Sequence, residues 1–183
     1  MTPLPLPSIA ELRWLQQHDV CSRSTREKKI LDMEHFLAYA HSLRRVRRPW
    51  LHVNSGARGR KEGGIDPDRS LILIGSCSWL TLLHEWYHWI VGERHGWSFS
   101  ATHEVDVAAE AYARANVYIV RPNSHEARDA VTLAKTLRLI PDRNNLASLV
   151  VYNIRLLNDK NWDARCAAAA GGRVDHCIPA VRV

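Results

Sequence analysis

The stretch SWLTLLHEWYHWIVG, residues 78–92, constrains this chain more than any other. It is apolar on nearly every side, as a helix buried through a domain is, yet it carries His84, Glu85 and His88. Residues four apart on a helix share a face about one turn from each other, so two imidazoles can meet one ion with Glu85 beside them. Two histidines and a glutamate are costly in such a place unless they are paired or bind a metal. Chance makes roughly 0.03 His-Glu-x-x-His matches in a chain of this composition, which disfavours coincidence. The competing reading is a core helix whose histidines hydrogen-bond to neighbours.

The elements around this segment follow from periodicity and punctuation. Ser8 can cap a first helix through IAELRWLQQH, and Ser24-Thr25-Arg26-Glu27 reads as a capping box. The helix it opens carries Ile30, Met33, Phe36, Leu37, Ala40 and Leu43 at helical spacing, with Pro49 as its stop. WLHVN and SLILIG read as strands, separated by a glycine-rich basic loop. The histidine helix starts near Ser78, with Gly92 marking its end or a kink. Another helix runs from about Ser100 to Tyr118, before Pro122. Further helices follow in SHEARDAVTLAKTLRL, NLASLVVYNIRLLND and DARCAAAAGG. The expected fold is α+β and helix-rich, with a short sheet just ahead of the histidine helix. At 183 residues the chain reads as one domain. N-terminal helices occupy 8–48, strands and metal-site helices 50–122, and C-terminal helices 123–183.

No apolar run is long enough to span a bilayer, and the proline-spaced start MTPLPLPSIAELRW lacks the pattern of a secretory signal. Cys21, Cys77, Cys166 and Cys177 are scattered, which fits reduced thiols and a cytoplasmic location. A second metal or redox site at Cys166, His176 and Cys177 is the minor alternative. The formal charge is +6, and seven basic residues crowd one short region: Arg44, Arg45, Arg47, Arg48, Arg58, Arg60 and Lys61. That patch could face nucleic acid or an acidic partner. The plainer reading is a solvated helix end followed by a loop.

Two histidines do not complete a catalytic zinc site, which takes three protein ligands and leaves a position for water. Candidates for the third are Asp106, Glu110 and His95, with Glu104 a weaker option. His95 follows Gly92 much as the third ligand follows a glycine in metzincins, but one residue out of step. HGWSF also resembles the His-Gly-x-x-Phe of SprT-like proteases at a shorter spacing. Asp106 and Glu110 share a helix face, so either could bind while the other orients a histidine.

At His84-Glu85-x-x-His88 and Asp106-Val107-Ala108-Ala109-Glu110 the chain resembles the gluzincin-type zinc metallopeptidases, and within them two bacterial groups. ImmA/IrrE-like peptidases carry Glu-x-x-Ala-Asn-x-Phe-Ala on the helix after the motif. Here Asp106, Ala109, Glu110, Tyr112 and Ala113 take the corresponding places, with Pro122 beyond. In the metallopeptidase domain of ArdC-like anti-restriction proteins a Trp follows HExxH, as Trp89 follows His88, and the second helix closes on Ala-Glu, as Ala109-Glu110 does. The resemblance covers about residues 70–122 and departs in placing Asp where the ligand Glu stands.

It implies a small zincin-like domain that binds Zn2+ through His84, His88 and Asp106. The activity implied is peptide-bond hydrolysis by a zinc-bound water, with Glu85 as general base and a protein or peptide as substrate. Tyr112, His103 or Arg114 could donate to the developing oxyanion. Trp79, Trp86, Trp89 and Trp97 read first as core and second as subsite walls. SLILIG is the candidate edge for an extended peptide. The alternative function is a non-catalytic binding module acting through the basic region 44–61, with zinc structural or absent.

Overall fold

The computed structural model describes residues 4–5, 8–18, 20, 24–54, 63–75 and 77–120. In chain order these form α1 (Ile9–Gln17), α2 (Arg26–Arg44), β1 (Trp50–Val53), β2 (Gly63–Asp66), β3 (Leu71–Ile74), α3 (Trp79–His95), α4 (Trp97–Ser100) and α5 (His103–Val120). The result is a helix-rich α+β structure with one small sheet, as the sequence pattern implies. The chain divides into two compact units, Met1–Pro5 with Ser22–Ala109, and Leu6–Cys21 with Glu110–Val183. The single domain expected over 1–183 is neither met nor overturned by this division, because most of the second unit lies outside the described residues. The helices read into 123–183, Pro122, and the Cys166–His176–Cys177 group lie outside them too.

In the first unit the helical stripe of α2 does what its spacing demands. Met33, Phe36, Leu37 and Ala40 are buried, while Ile30 and Leu43 at its ends are half-buried. Its cap is one residue later than the capping box placed it: Thr25 is the N-cap, and its Oγ1 accepts from the Lys28 N–H at 3.2 Å. Its stop is earlier than Pro49. Arg45 adopts the left-handed conformation at φ 56°, and its N–H returns to the carbonyls of His41 and Ser42. The helix therefore closes through its own carbonyls before the proline can act.

The sheet order is β1-β3-β2, with β1 parallel and β2 antiparallel to β3. This overturns SLILIG as the edge: β3 is the central strand, and β2 is an outer one. A continuous apolar strand suits the centre of a sheet, whereas β2 is written Gly-Gly-Ile-Asp and hid inside the loop reading. Ile72 and Ile74 of β3 are buried on the face carrying Ile65, which pairs with Ile72. α3 packs against β2 and β3.

Three of the tryptophans near the motif, Trp79, Trp86 and Trp89, are buried, so their core reading holds; Trp97 is half-buried with its ring 5.1 Å from that of Trp89. Phe36 meets the edges of Trp79 and Trp86 at 6.0 and 6.2 Å, which joins α2 to α3. Gly92 does not end α3. Any Cβ there would overlap the Trp97 ring, so glycine makes room for that indole while the helix continues to His95. Gly96, at φ 96°, then breaks the chain into α4. Tyr87 is buried, and its hydroxyl donates to the Pro5 carbonyl at 2.9 Å; burial raises its pKa far above the phenol range, so it stays a donor.

In the second unit Leu12, Leu15, Tyr112, Ala113 and Val117 are buried. Ser8 caps α1 as expected, accepting from the Glu11 N–H at 3.4 Å. The Tyr112 hydroxyl donates to Glu11 Oε1 at 2.9 Å.

Candidate metal centre

α3 carries His84, Glu85 and His88 within five consecutive residues, and α5 carries Asp106 in its first turn. The structure brings one ligand atom each from His84, His88 and Asp106 to within 4.8 Å of one another. Asp106 Oδ1 lies 3.2 Å from His84 Nε2 and 3.5 Å from His88 Nε2. Ligand atoms at zinc–nitrogen and zinc–oxygen bond lengths stand about 3.4 Å apart around a tetrahedral ion, so both separations suit one. All three residues belong to the first unit.

The protonation of His88 decides what this cluster needs. Its Nδ1 lies 2.8 Å from the Ser100 carbonyl, which can only accept, so Nδ1 carries a proton. Burial, and then the nearby His84, lower the pKa of His88 below the usual 6.5, against the weaker pull of Ser100 and Asp106. The ring is therefore neutral at neutral pH, and Nε2 presents a lone pair. That lone pair faces a carboxylate oxygen 3.5 Å away. A cation between these two acceptors would satisfy both, and His84 Nε2 lies in hydrogen-bond range of the same oxygen at 3.2 Å. The donor set, two imidazole nitrogens and one carboxylate oxygen, suits zinc.

Ser100 is the residue that sequence reasoning missed. Besides its carbonyl contact, its Oγ donates to the His88 carbonyl at 2.7 Å and lies 3.3 Å from Nδ1. It fixes the ring and its tautomer, which is how outer partners commonly orient a metal-binding histidine. The short α4 turn sets Ser100 there, and nothing in a lone serine announces that.

Other candidates fall elsewhere. His95 is exposed with its ring against Phe99, and neither it nor Glu104 joins the cluster. Glu110 lies one turn beyond Asp106, half-buried, in the second unit and outside the cluster. Among the oxyanion donors, Tyr112 spends its hydroxyl on Glu11, His103 opens α5, and the Arg114 side chain lies outside the described residues. Glu85 is half-buried against the backbone of β2 at Gly63.

Among the described residues of the basic region, Arg44, Arg47 and Arg48 make contacts within the fold. Arg44 is buried, and its carbonyl accepts from Arg94 at 2.7 Å. Arg47 binds Glu93 with its backbone N–H and its guanidinium, both at 3.0 Å, and lies 5.1 Å from the centre of the Trp89 ring. Arg48 covers Trp50 at 4.6 Å, and Arg45 and Arg47 are exposed. Arg58, Arg60 and Lys61 lie outside the described residues.

No protein-family model, curated protein or solved structure matches the chain. Among the described residues no helix is long and apolar enough to cross a membrane.

Proposed function

We propose that this protein is a zinc-dependent metallopeptidase of the gluzincin type, with zinc held by His84, His88 and Asp106. The observation that carries the reading is the meeting of one ligand atom each from His84, His88 and Asp106 within 4.8 Å of one another, next to a helix position occupied by Glu85. A bound zinc ion supplies a Lewis acid that acidifies water and polarises a carbonyl. The chain's own residues do the rest. Glu85 takes the proton of the attacking water on its carboxylate and returns it to the leaving amine. Ser100 keeps the His88 proton on Nδ1, away from the metal side. β2, the outer antiparallel strand beside Glu85, offers an extended peptide an edge on which to add as a further strand. The scattered cysteines favour the cytoplasm as the place of action.

Metal analysis by mass spectrometry of the wild type, His84→Ala and Glu85→Gln tests this. The expected result is about one zinc per chain in the wild type and in Glu85→Gln, and none in His84→Ala. Peptide turnover should fall by at least about 100-fold in Glu85→Gln. Turnover retained in that variant rules out Glu85 as the base, and a wild type that takes up no zinc on reconstitution rules out the site.

A further inference from the structure

β2 contains two successive glycines whose surroundings differ. A Cβ on Gly63 would lie 2.5 Å from Glu85 Oε1, 2.7 Å from its Cγ and 2.9 Å from its Cδ. A Cβ on Gly64 would meet nothing within 4 Å. Gly63 pairs with Ile74 on the inner face of the sheet, and Gly64 with Leu73 on the outer one. Neither has a positive φ, so conformational freedom explains neither. Space explains Gly63: a glycine within a strand marks a close approach of another group.

From this we infer that Gly63 is a positioning residue for Glu85. The bare backbone of β2 lies along most of the length of the Glu85 side chain and limits its movement on that side. The inference rests on the peptidase reading for its consequence, because a general base must be held close to its working geometry; the contact itself does not depend on that reading. Displacement of about 1 Å can cost about 100-fold in rate. Gly63 touches neither substrate nor metal in this role. It acts through Glu85.

A mutant cycle on the full chain tests the inference, with Gly63→Ala and Gly64→Ala each made in the wild type and in Glu85→Ala. Denaturant midpoints report the contact without reference to activity. Gly63→Ala should lower the midpoint in the wild type, and at least half of that loss should vanish once Glu85 is alanine. Gly64→Ala should shift the midpoint equally in both backgrounds. If Gly63→Ala alone does not fold, recovery of folding in Gly63→Ala with Glu85→Ala supports the contact, and failure of both overturns it. An equal loss in the two backgrounds also overturns it.

With peptide substrate, Gly63→Ala should lose about 100-fold in kcat, with KM within about twofold and zinc content unchanged. Strong coupling with unchanged kcat overturns the positioning role. Coupling in a zinc-loaded wild type that hydrolyses no peptide would instead count against the peptidase reading, and leaves Gly63 as the residue that fixes where Glu85 stands.

Discussion

The two helices that meet at the candidate metal centre present their candidate ligands in opposite ways. On α3 the His84 and His88 side chains are 18% and 13% exposed, whereas on α5 the Asp106 side chain is 59% exposed. The α3 ligands sit in a helix whose other faces are filled by Trp86, Trp89 and Ile90, and His88 is tied to Ser100. Asp106 lies in an exposed first turn, where an acid is favoured by the helix dipole with or without a metal. The difference teaches that the histidine half of the candidate site is held by packing and by Ser100, while the carboxylate half has room to adjust to an ion if one binds.

Removing one ligand from each half breaks or upholds this division, and it carries the largest expected effect. His88→Ala should abolish stoichiometric zinc binding, since it takes away one of two fixed nitrogen donors. Asp106→Ala should weaken zinc by about 100-fold yet leave the histidine pair able to bind. Competition with a chelator of known affinity measures both. Equal losses would show that the exposed carboxylate is as fixed as the buried imidazoles. Wild-type affinity in Asp106→Ala would move the third ligand to Glu110 or another residue.

The same division explains what was legible in the sequence. His84, Glu85 and His88 can be read because one helix sets their spacing, and the stripe Met33, Phe36, Leu37 and Ala40 because burial follows the period of 3.6. Asp106 needed an outside pattern, because its distance to the histidines is set by tertiary structure. β2 escaped notice because Gly63-Gly64 hides the alternation that marks a strand, although that strand is the one lying on Glu85. Charge alone says less at the end of α2: sequence counts arginines, but only packing decides that Arg44 is buried and that Arg47 binds Glu93. The C-cap at Arg45 was hidden for a related reason, since a non-glycine residue gives little sign that it will turn left-handed.

A smaller change sharpens the account of the fixed half. Ser100→Ala deletes the Oγ that bonds the His88 carbonyl but keeps the backbone carbonyl that accepts from Nδ1. Zinc affinity should fall by about tenfold, the low end for loss of a partner that orients a metal-binding histidine. An unchanged affinity would show that the carbonyl alone holds the ring. A complete loss would show that the hydroxyl positions the whole α4 turn.

The smallest effect is a pH dependence of the metal-free protein. His88 has its folded pKa lowered below 6.5, chiefly by burial and then by His84, while the unfolded chain keeps the ordinary value. As pH falls below 6.5 the unfolded state takes up this proton more readily than the folded one, so stability decreases. The contribution of His88 is present in full above the unfolded pKa and is lost as pH drops through the lowered folded value. Denaturant midpoints of zinc-free wild type should therefore fall between about pH 7.5 and pH 5, and His88→Gln, which has no proton to gain, should fall less steeply. Equal slopes would mean that the ring is not held neutral, and the argument for a cation between His88 and Asp106 would lose its premise. A shallower slope in the variant, together with a wild-type slope that flattens on adding zinc, would tie the half-buried imidazole to the proposed ion.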